Sequence, residues 1–182
     1  MSALPADLTG TWDIDPVHTT IGFSAKHAVV ATTRGQFTSY TGGAVIDAAA
    51  PENSSLFVDI DAASITTNND MRDGHLKSAD FLNVEQFPKL TYKSTKVSVD
   101  GDEIHTSGDL TIAGVTHPVD LVWEFGGIAK DPYGTVKAGF ETSTTINRKD
   151  WGLVWNAPLE TGGLLVGEKV KLTIEIEANK QA

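Results

Sequence analysis

Arg72, Asp73 and His75 fall within four residues, and those types are what proton-transfer or anion chemistry would use. A guanidinium holds an anion, a carboxylate orients an imidazole, and the imidazole moves a proton. Arg148 with Asp150 forms a second cluster that could grip a phosphate through a bidentate guanidinium. Neither cluster comes with a nucleophile. Gly-x-Ser-x-Gly is absent, and the chain has no cysteine, which also excludes disulfides and thiolate metal sites. The structural alternative is that Arg72 and Asp73 tie a short helix to the rest of the domain while Arg148 and Asp150 fix a corner. That reading is favoured, because buried charges with no nucleophile nearby usually serve architecture. His75 discriminates the two. Facing a cavity beside Asp73 or Arg72 it would support acid–base chemistry; packed under a loop it would not.

The five histidines raise the question of a metal. His18 and His27 are separated by an odd number of positions, which puts them on opposite faces of a regular strand. His105 falls on a polar strand face and His117 beside a turn. No His-x-x-x-His or Glu-x-x-His pair occurs, so no metal and no other cofactor is expected. Gly162 and Gly167 have phosphate-loop spacing, but Glu168-Lys169 follows where Gly-Lys-Ser/Thr would be needed. Gly-x-Gly-x-x-Gly is absent as well.

The elements that would position these residues are strands. Leu56, Val58, Ile60 and Ala62 alternate with Phe57, Asp59 and Asp61. Val119, Leu121, Trp123 and Phe125 form an apolar face, as do Val136, Ala138 and Phe140 with Thr142, Thr144 and Ile146. So do Val170, Leu172, Ile174, Ile176 and Ala178, and Ile104, Leu110 and Ile112 with Thr106 and Gly108. The same period is read over 17–25, with Val17, Thr19, Ile21, Phe23 and Ala25 on one side. Clean alternation means sheets with one buried face and hence antiparallel pairing. Asp100-Gly101 predicts a hairpin, Ala113-Gly114 another turn, and Asp131-Pro-Tyr-Gly134 a third. Gly42-Gly43, Gly126-Gly127 and Gly162-Gly163 mark further turns or bends. A phase change between Tyr92 and Val97 predicts a bulge. Only 66–83 reads as helical, a turn or two capped by Asn69 or Asp70.

The 182 residues, 40% hydrophobic and 21% charged, amount to one globular domain over 1–182. Fourteen basic against 24 acidic residues leave a net charge of −10, which disfavours a nucleic-acid partner. No apolar run is long enough for a transmembrane segment, and the first ten residues lack the features of a secretory signal, so a cytoplasmic location is expected.

Four motifs resemble the YceI-like family. They are Thr11-Trp-Asp-Ile-Asp-Pro-Val-His18 with Ile21-Gly-Phe23 and His27; Arg72-Asp73-Gly-His75-Leu76 with Asp80-Phe81 and Phe87-Pro88; Gly108-Asp-Leu-Thr-Ile-Ala-Gly114-Val-Thr-His-Pro118; and Asn147-Arg148-Lys-Asp150-Trp151-Gly152-Leu153 with Trp155. They occur in order across about 10–178. Trp151 stands where phenylalanine is commoner. The resemblance implies an all-β fold, an extended antiparallel lipocalin-like β-barrel of about eight strands with short helical segments at its ends, often a homodimer. It also implies an elongated apolar cavity for a polyisoprenoid, an isoprenoid quinone or a related lipid, and hence a non-enzymatic binding, transport or sequestration role. Residues expected to line that cavity are Ile21, Phe23, Val58, Ile60, Met71, Leu76 and Phe81 from the first half of the chain. Leu110, Trp123, Phe140, Ile146, Trp151 and Trp155 are expected from the second. Arg148 is the first candidate for a headgroup contact and Arg34 the second. Two rivals remain: a lipid-acting enzyme using the polar clusters, and a barrel packed solid by Phe23, Trp123 and Phe140 that serves protein contacts.

Overall fold

The computed structural model describes residues 4–182. Eleven antiparallel strands form one sheet: β1 (Gly10–Ile14), β2 (Thr20–His27), β3 (Ala31–Phe37), β4 (Tyr40–Ile46), β5 (Ser55–Asp61), β6 (Ile65–Thr66), β7 (Lys89–Asp100), β8 (Glu103–Ile112), β9 (Val115–Lys130), β10 (Val136–Asn147) and β11 (Val166–Lys180). These make eight staves, because β1/β2, β3/β4 and β5/β6 are each one stave broken in two. β1 and β2 both pair with β11, at its C-terminal end and along its middle. β4 and β3 follow them, pairing with β1 and β2 in turn. The circuit runs β1/β2, β3/β4, β5/β6, β7, β8, β9, β10, β11 and closes where Trp12 pairs Lys180 and Ile14 pairs Ala178. Closure does not run the full length of every stave. β9 and β10 pair from Val136 with Lys130 to Thr142 with Trp123, so residues 115–122 of β9 and 143–147 of β10 pair on one side alone, as does the two-residue β6.

Alternation places the inward residues as the sequence indicates. On β8, Ile104, Thr106, Gly108, Leu110 and Ile112 are all buried. The Asp100-Gly101 hairpin joins β7 to β8, and the register of that pair shifts between Ser94 and Lys96, the expected bulge. Two expectations are corrected. No strand covers 17–25 as a whole: residues 15–19 break the stave, so Val17 is 80% exposed and His18 lies in a turn. Gly42 and Gly43 sit inside β4, not at a turn. A side chain at Gly43 would collide with the Trp12 carbonyl of β1, so the closing strand demands glycine there.

The one α-helix among the described residues, α1 (Asp70–Lys77), is capped by Asn69, whose side chain accepts the Arg72 N–H. Together with residues 148–165 it covers the barrel end at which the β2–β3 and β8–β9 turns also lie; the chain termini lie at the other end. Among the described residues no helix is long and apolar enough to cross a membrane.

Candidate functional site

The barrel axis holds two apolar lobes end to end. One, with a volume of about 80 Å³, is lined near the chain termini by Trp12, Ile14, Ala44, Ile46, Val97, Ile104, Phe140 and Ala178. The other, about 90 Å³, lies towards α1 and is lined by Ile21, Phe37, Val58, Ile60, Leu90, Tyr92, Leu110, Leu121, Leu172 and Ile174. Leu56, Trp123 and Ile176 line both and form the waist between them. The few polar atoms here satisfy one another. Trp123 Nε1 donates to Thr106 Oγ1 at 3.1 Å, and Tyr92 Oη lies 3.1 Å from the same oxygen and 3.2 Å from the Val119 carbonyl. Burial pushes the Tyr92 phenol above its ordinary value, so the ring stays neutral. An interior of this kind offers dispersion and desolvation but no ion or hydrogen bond to a ligand.

Of the residues proposed for the cavity, Ile21, Val58, Ile60, Leu110, Trp123 and Phe140 line the lobes. The others lie elsewhere. Phe23 packs beside Phe37, ring centroids 5.8 Å apart, over Gly35, where no side chain would fit. Ile146 borders a shallow recess with Asp120 and Asp150. Leu76 packs from α1 onto the core. Met71 is 88% exposed: two helical positions before the buried Asp73, it points away from the barrel. Trp151 is buried and donates its indole N–H to the Leu110 carbonyl at 2.9 Å. Phe81 and Trp155 belong to the cap.

The polar clusters hold that cap in place. Asp73 accepts from the backbone N–H and hydroxyl of Thr67, and Arg72 donates to the Thr67 hydroxyl and carbonyl. Burial opposes the charge of Asp73, but bonds from Thr67 and Thr66 and the nearby Lys77 outweigh it and hold its carboxyl below the ordinary value. His75 faces neither Asp73 nor Arg72. Its Nε2 lies 2.9 Å from Asp80 Oδ2, and its ring packs edge-on to Trp155 at 4.5 Å and Phe81 at 5.1 Å.

Arg148 is only 4% exposed, and its partners are not Asp150. It donates to the carbonyls of Gly167, Leu153, Trp155 and Val166, and its guanidinium lies 5.9 Å from the centroid of the Phe81 ring. With its donors committed to backbone, it has no face left for a headgroup, which corrects that expectation. Arg34 lies instead on the outer surface, in a groove with Lys26, Lys169 and Lys171.

One cluster escaped the sequence reading. At the break between β1 and β2, His18 Nδ1 lies 3.0 Å from Asp15 Oδ2 and 3.4 Å from Glu177 Oε1, while Lys137 Nζ sits 3.1 and 2.9 Å from the same two oxygens. Three ligand-type atoms converge as a metal would need, but the Lys137 ammonium already supplies the positive charge between the carboxylates. Asp15 and His18 are three apart in the sequence, a local hint; Lys137 and Glu177 arrive only through closure of the barrel.

An eight-stranded, lipocalin-like antiparallel β-barrel with an apolar interior and a capped end is thus the class that fold and site define. The chain belongs to the YceI-like family: the family's domain model matches residues 12–178. It is 36% identical over 169 residues to Protein YceI of Escherichia coli O6:H1, covering 93% of this chain and 85% of that protein. Among solved structures it is similar to the Campylobacter jejuni YCEI protein, with 33% identity, a TM-score of 0.71 and coverage of 93% and 97% of the two chains. It shares its fold with a polyisoprenoid-binding domain from Saccharophagus degradans, with a TM-score of 0.69, 15% identity and coverage of 93% and 98%.

Proposed function

We propose that the barrel binds and carries one long apolar chain, an isoprenoid or related lipid tail, threaded through both lobes. The carrying observation is the pair of lobes in line, walled by carbon and sharing Trp123, Leu56 and Ile176. The Saccharophagus degradans neighbour, a polyisoprenoid-binding domain of the same fold, supports the choice of ligand. An isoprene unit has five carbons, so each unit buried contributes roughly 4 kcal/mol gross. Association costs on the order of 4–15 kcal/mol, and a few units offset it without any polar contact. The lobes are narrow, so filling them requires the waist rings to shift.

A carrier is favoured over a lipid-acting enzyme because the side chains that suggested chemistry are occupied elsewhere. Arg72 and Asp73 close on Thr67, Arg148 on four carbonyls, and His75 on Asp80 within an aromatic stack. Native mass spectrometry tests the proposal, on the protein as purified and after delipidation and exposure to polyprenol or menaquinone. One lipid per barrel is the expected result. Absence of both copurifying lipid and uptake overturns it.

A further inference from the structure

The turn joining β2 to β3 reads Ala28-Val29-Val30, with no polar residue at a tip that faces water. Val29 is 64% and Val30 86% exposed. The turn is also strained. Ala28 has φ 50° and Val29 φ 67°, a left-handed conformation that hairpin turns ordinarily assign to Asn or Gly and that a β-branched residue resists. Two unfavourable choices coincide here, exposed apolar surface and a residue ill-suited to its backbone, and such strain is kept where a site uses it. The tip is braced. Ala28 N–H donates to the Leu165 carbonyl at 2.7 Å, and Val29 lies against Gly163, beside Leu164, which is 44% exposed. Val154 at 61% and Met71 at 88% stand exposed on the cap at the same end of the barrel.

Immediately below the tip, the outer face of β10, β11, β2 and β3 carries the groove that holds Lys26, Arg34, Lys169 and Lys171. Pairing sets these residues in a row. Thr145 is opposite Lys171, Lys171 opposite Ser24, and Ser24 opposite Arg34, so Lys171 and Arg34 lie about 10 Å apart with a small hydroxyl between them. Four of only 14 basic residues in a chain of net charge −10 therefore share one groove. Among the described residues none of the four pairs with a carboxylate; nearby Glu168 is taken by Lys149. Glu175 stands in the same groove, and Glu141 lies opposite it on β10, both farther from the tip than Lys171. Charge on the outer face of these four strands is thus graded, positive towards the tip, while the exposed acids of that end, Asp70, Asp80, Asp150 and Glu160, stand on α1 and the cap and not in the groove. Screening limits what an approaching surface feels to roughly the nearest 8 Å, so the gradient and not the net charge governs docking in that orientation.

An apolar spike with cations just behind it matches a bilayer whose hydrocarbon lies beneath anionic headgroups. We propose that this end docks on anionic phospholipid bilayers, Val29 and Val30 entering the acyl boundary while Lys26, Arg34, Lys169 and Lys171 meet the phosphates. The purpose of docking rests on the lipid-carrier reading, since it sets one end of the barrel against a source of lipid; docking itself is measurable without it.

Flotation of the protein with vesicles provides the test, using phosphatidylcholine alone and phosphatidylcholine with phosphatidylglycerol. Flotation is expected with the anionic vesicles, weakly or not at all with the neutral ones, and less at high salt. Val29→Asn with Val30→Ser places a residue suited to the left-handed turn, so it should fold and melt as the parent does while losing vesicle affinity by on the order of tenfold. Arg34→Gln with Lys171→Gln should lose affinity for the anionic vesicles by a similar factor. Flotation unchanged in both variants, or absent in the parent, overturns docking. So does a parent that self-associates through the tip, its mass in solution halving in the valine variant without any vesicle binding. Lipid uptake from a detergent dispersion is measured alongside. If uptake persists while flotation fails, docking alone falls; if flotation holds and uptake fails, the carrier reading falls and docking stands.

Discussion

Trp123 donates its indole N–H to Thr106 Oγ1 at 3.1 Å, and that bond holds the ring across the waist where the two apolar lobes meet. A ring there restricts the tube without blocking it at either end, and its polar atom costs nothing because a barrel hydroxyl receives it.

Trp123→Ala should join the lobes and lengthen the longest prenol retained, at a cost of roughly 3–5 kcal/mol in stability. Trp123→Phe should keep the restriction and lose about 1 kcal/mol, the value of the hydrogen bond. Native mass spectrometry over a chain-length series, paired with urea unfolding, checks both. An unchanged chain limit in the alanine variant would show that the waist does not gate the tube.

Arg148 joins the start of the 148–165 segment to carbonyls in its middle, Leu153 and Trp155, and at the start of β11, Val166 and Gly167. Arg148→Met should cost at least about 3 kcal/mol, because four acceptors lose their donor in a buried setting. Arg148→Lys should recover only part of that, since an ammonium cannot reproduce the planar fork. Chemical denaturation decides the matter. A loss under about 1 kcal/mol would mean that the carbonyls find other partners.

Stability should fall in acid through Asp15. The bond from His18 first, and then the Val17 N–H and Lys137, outweigh burial and lower its pKa from 3.8 to about 2. A lowered folded-state value means that the stabilisation is complete above 3.8 and disappears as pH falls towards about 2. Its size is at most about 2 kcal/mol, reduced by solvent screening around the partners. His18 works in the opposite sense. Asp15 and then Glu177 raise its pKa above 6.5, so its contribution is complete below that value and disappears as pH rises through the raised one. Asp15→Asn should flatten the acid limb of a pH–stability curve measured by urea midpoint and also weaken the decline as pH rises past 6.5, because Asp15 is the first cause of the raised His18 value.

Period-two alternation is a local property, and local properties were legible. The buried face of β8, the Asp100-Gly101 and Ala113-Gly114 turns, the bulge near Ser94 and the Asn69 cap all follow from neighbouring residues. Antiparallel pairing follows too, because a strand with one wet face cannot be buried on both sides. The six lobe-lining positions named in advance are inward residues of regular strands, whose direction pairing preserves. The residues that fell elsewhere sit in α1, in the cap, beside a glycine or, for Ile146, at the end of β10 beyond its pairing with β9, where direction depends on what packs against them.

What the sequence alone determined is therefore the strand content, the faces and the family. Tertiary structure decided everything that needed two distant segments to meet. Closure of β1 on β11 brings Thr19 within hydrogen-bonding distance of the Glu177 backbone across 158 positions and delivers Glu177 and Lys137 to Asp15. Arg148 turned from its sequence neighbour Asp150 to four carbonyls, because in a buried corner unsatisfied backbone acceptors hold a guanidinium better than an exposed carboxylate does. The waist at Trp123, and the basic groove in an acidic chain, exist only because staves far apart in sequence stand side by side.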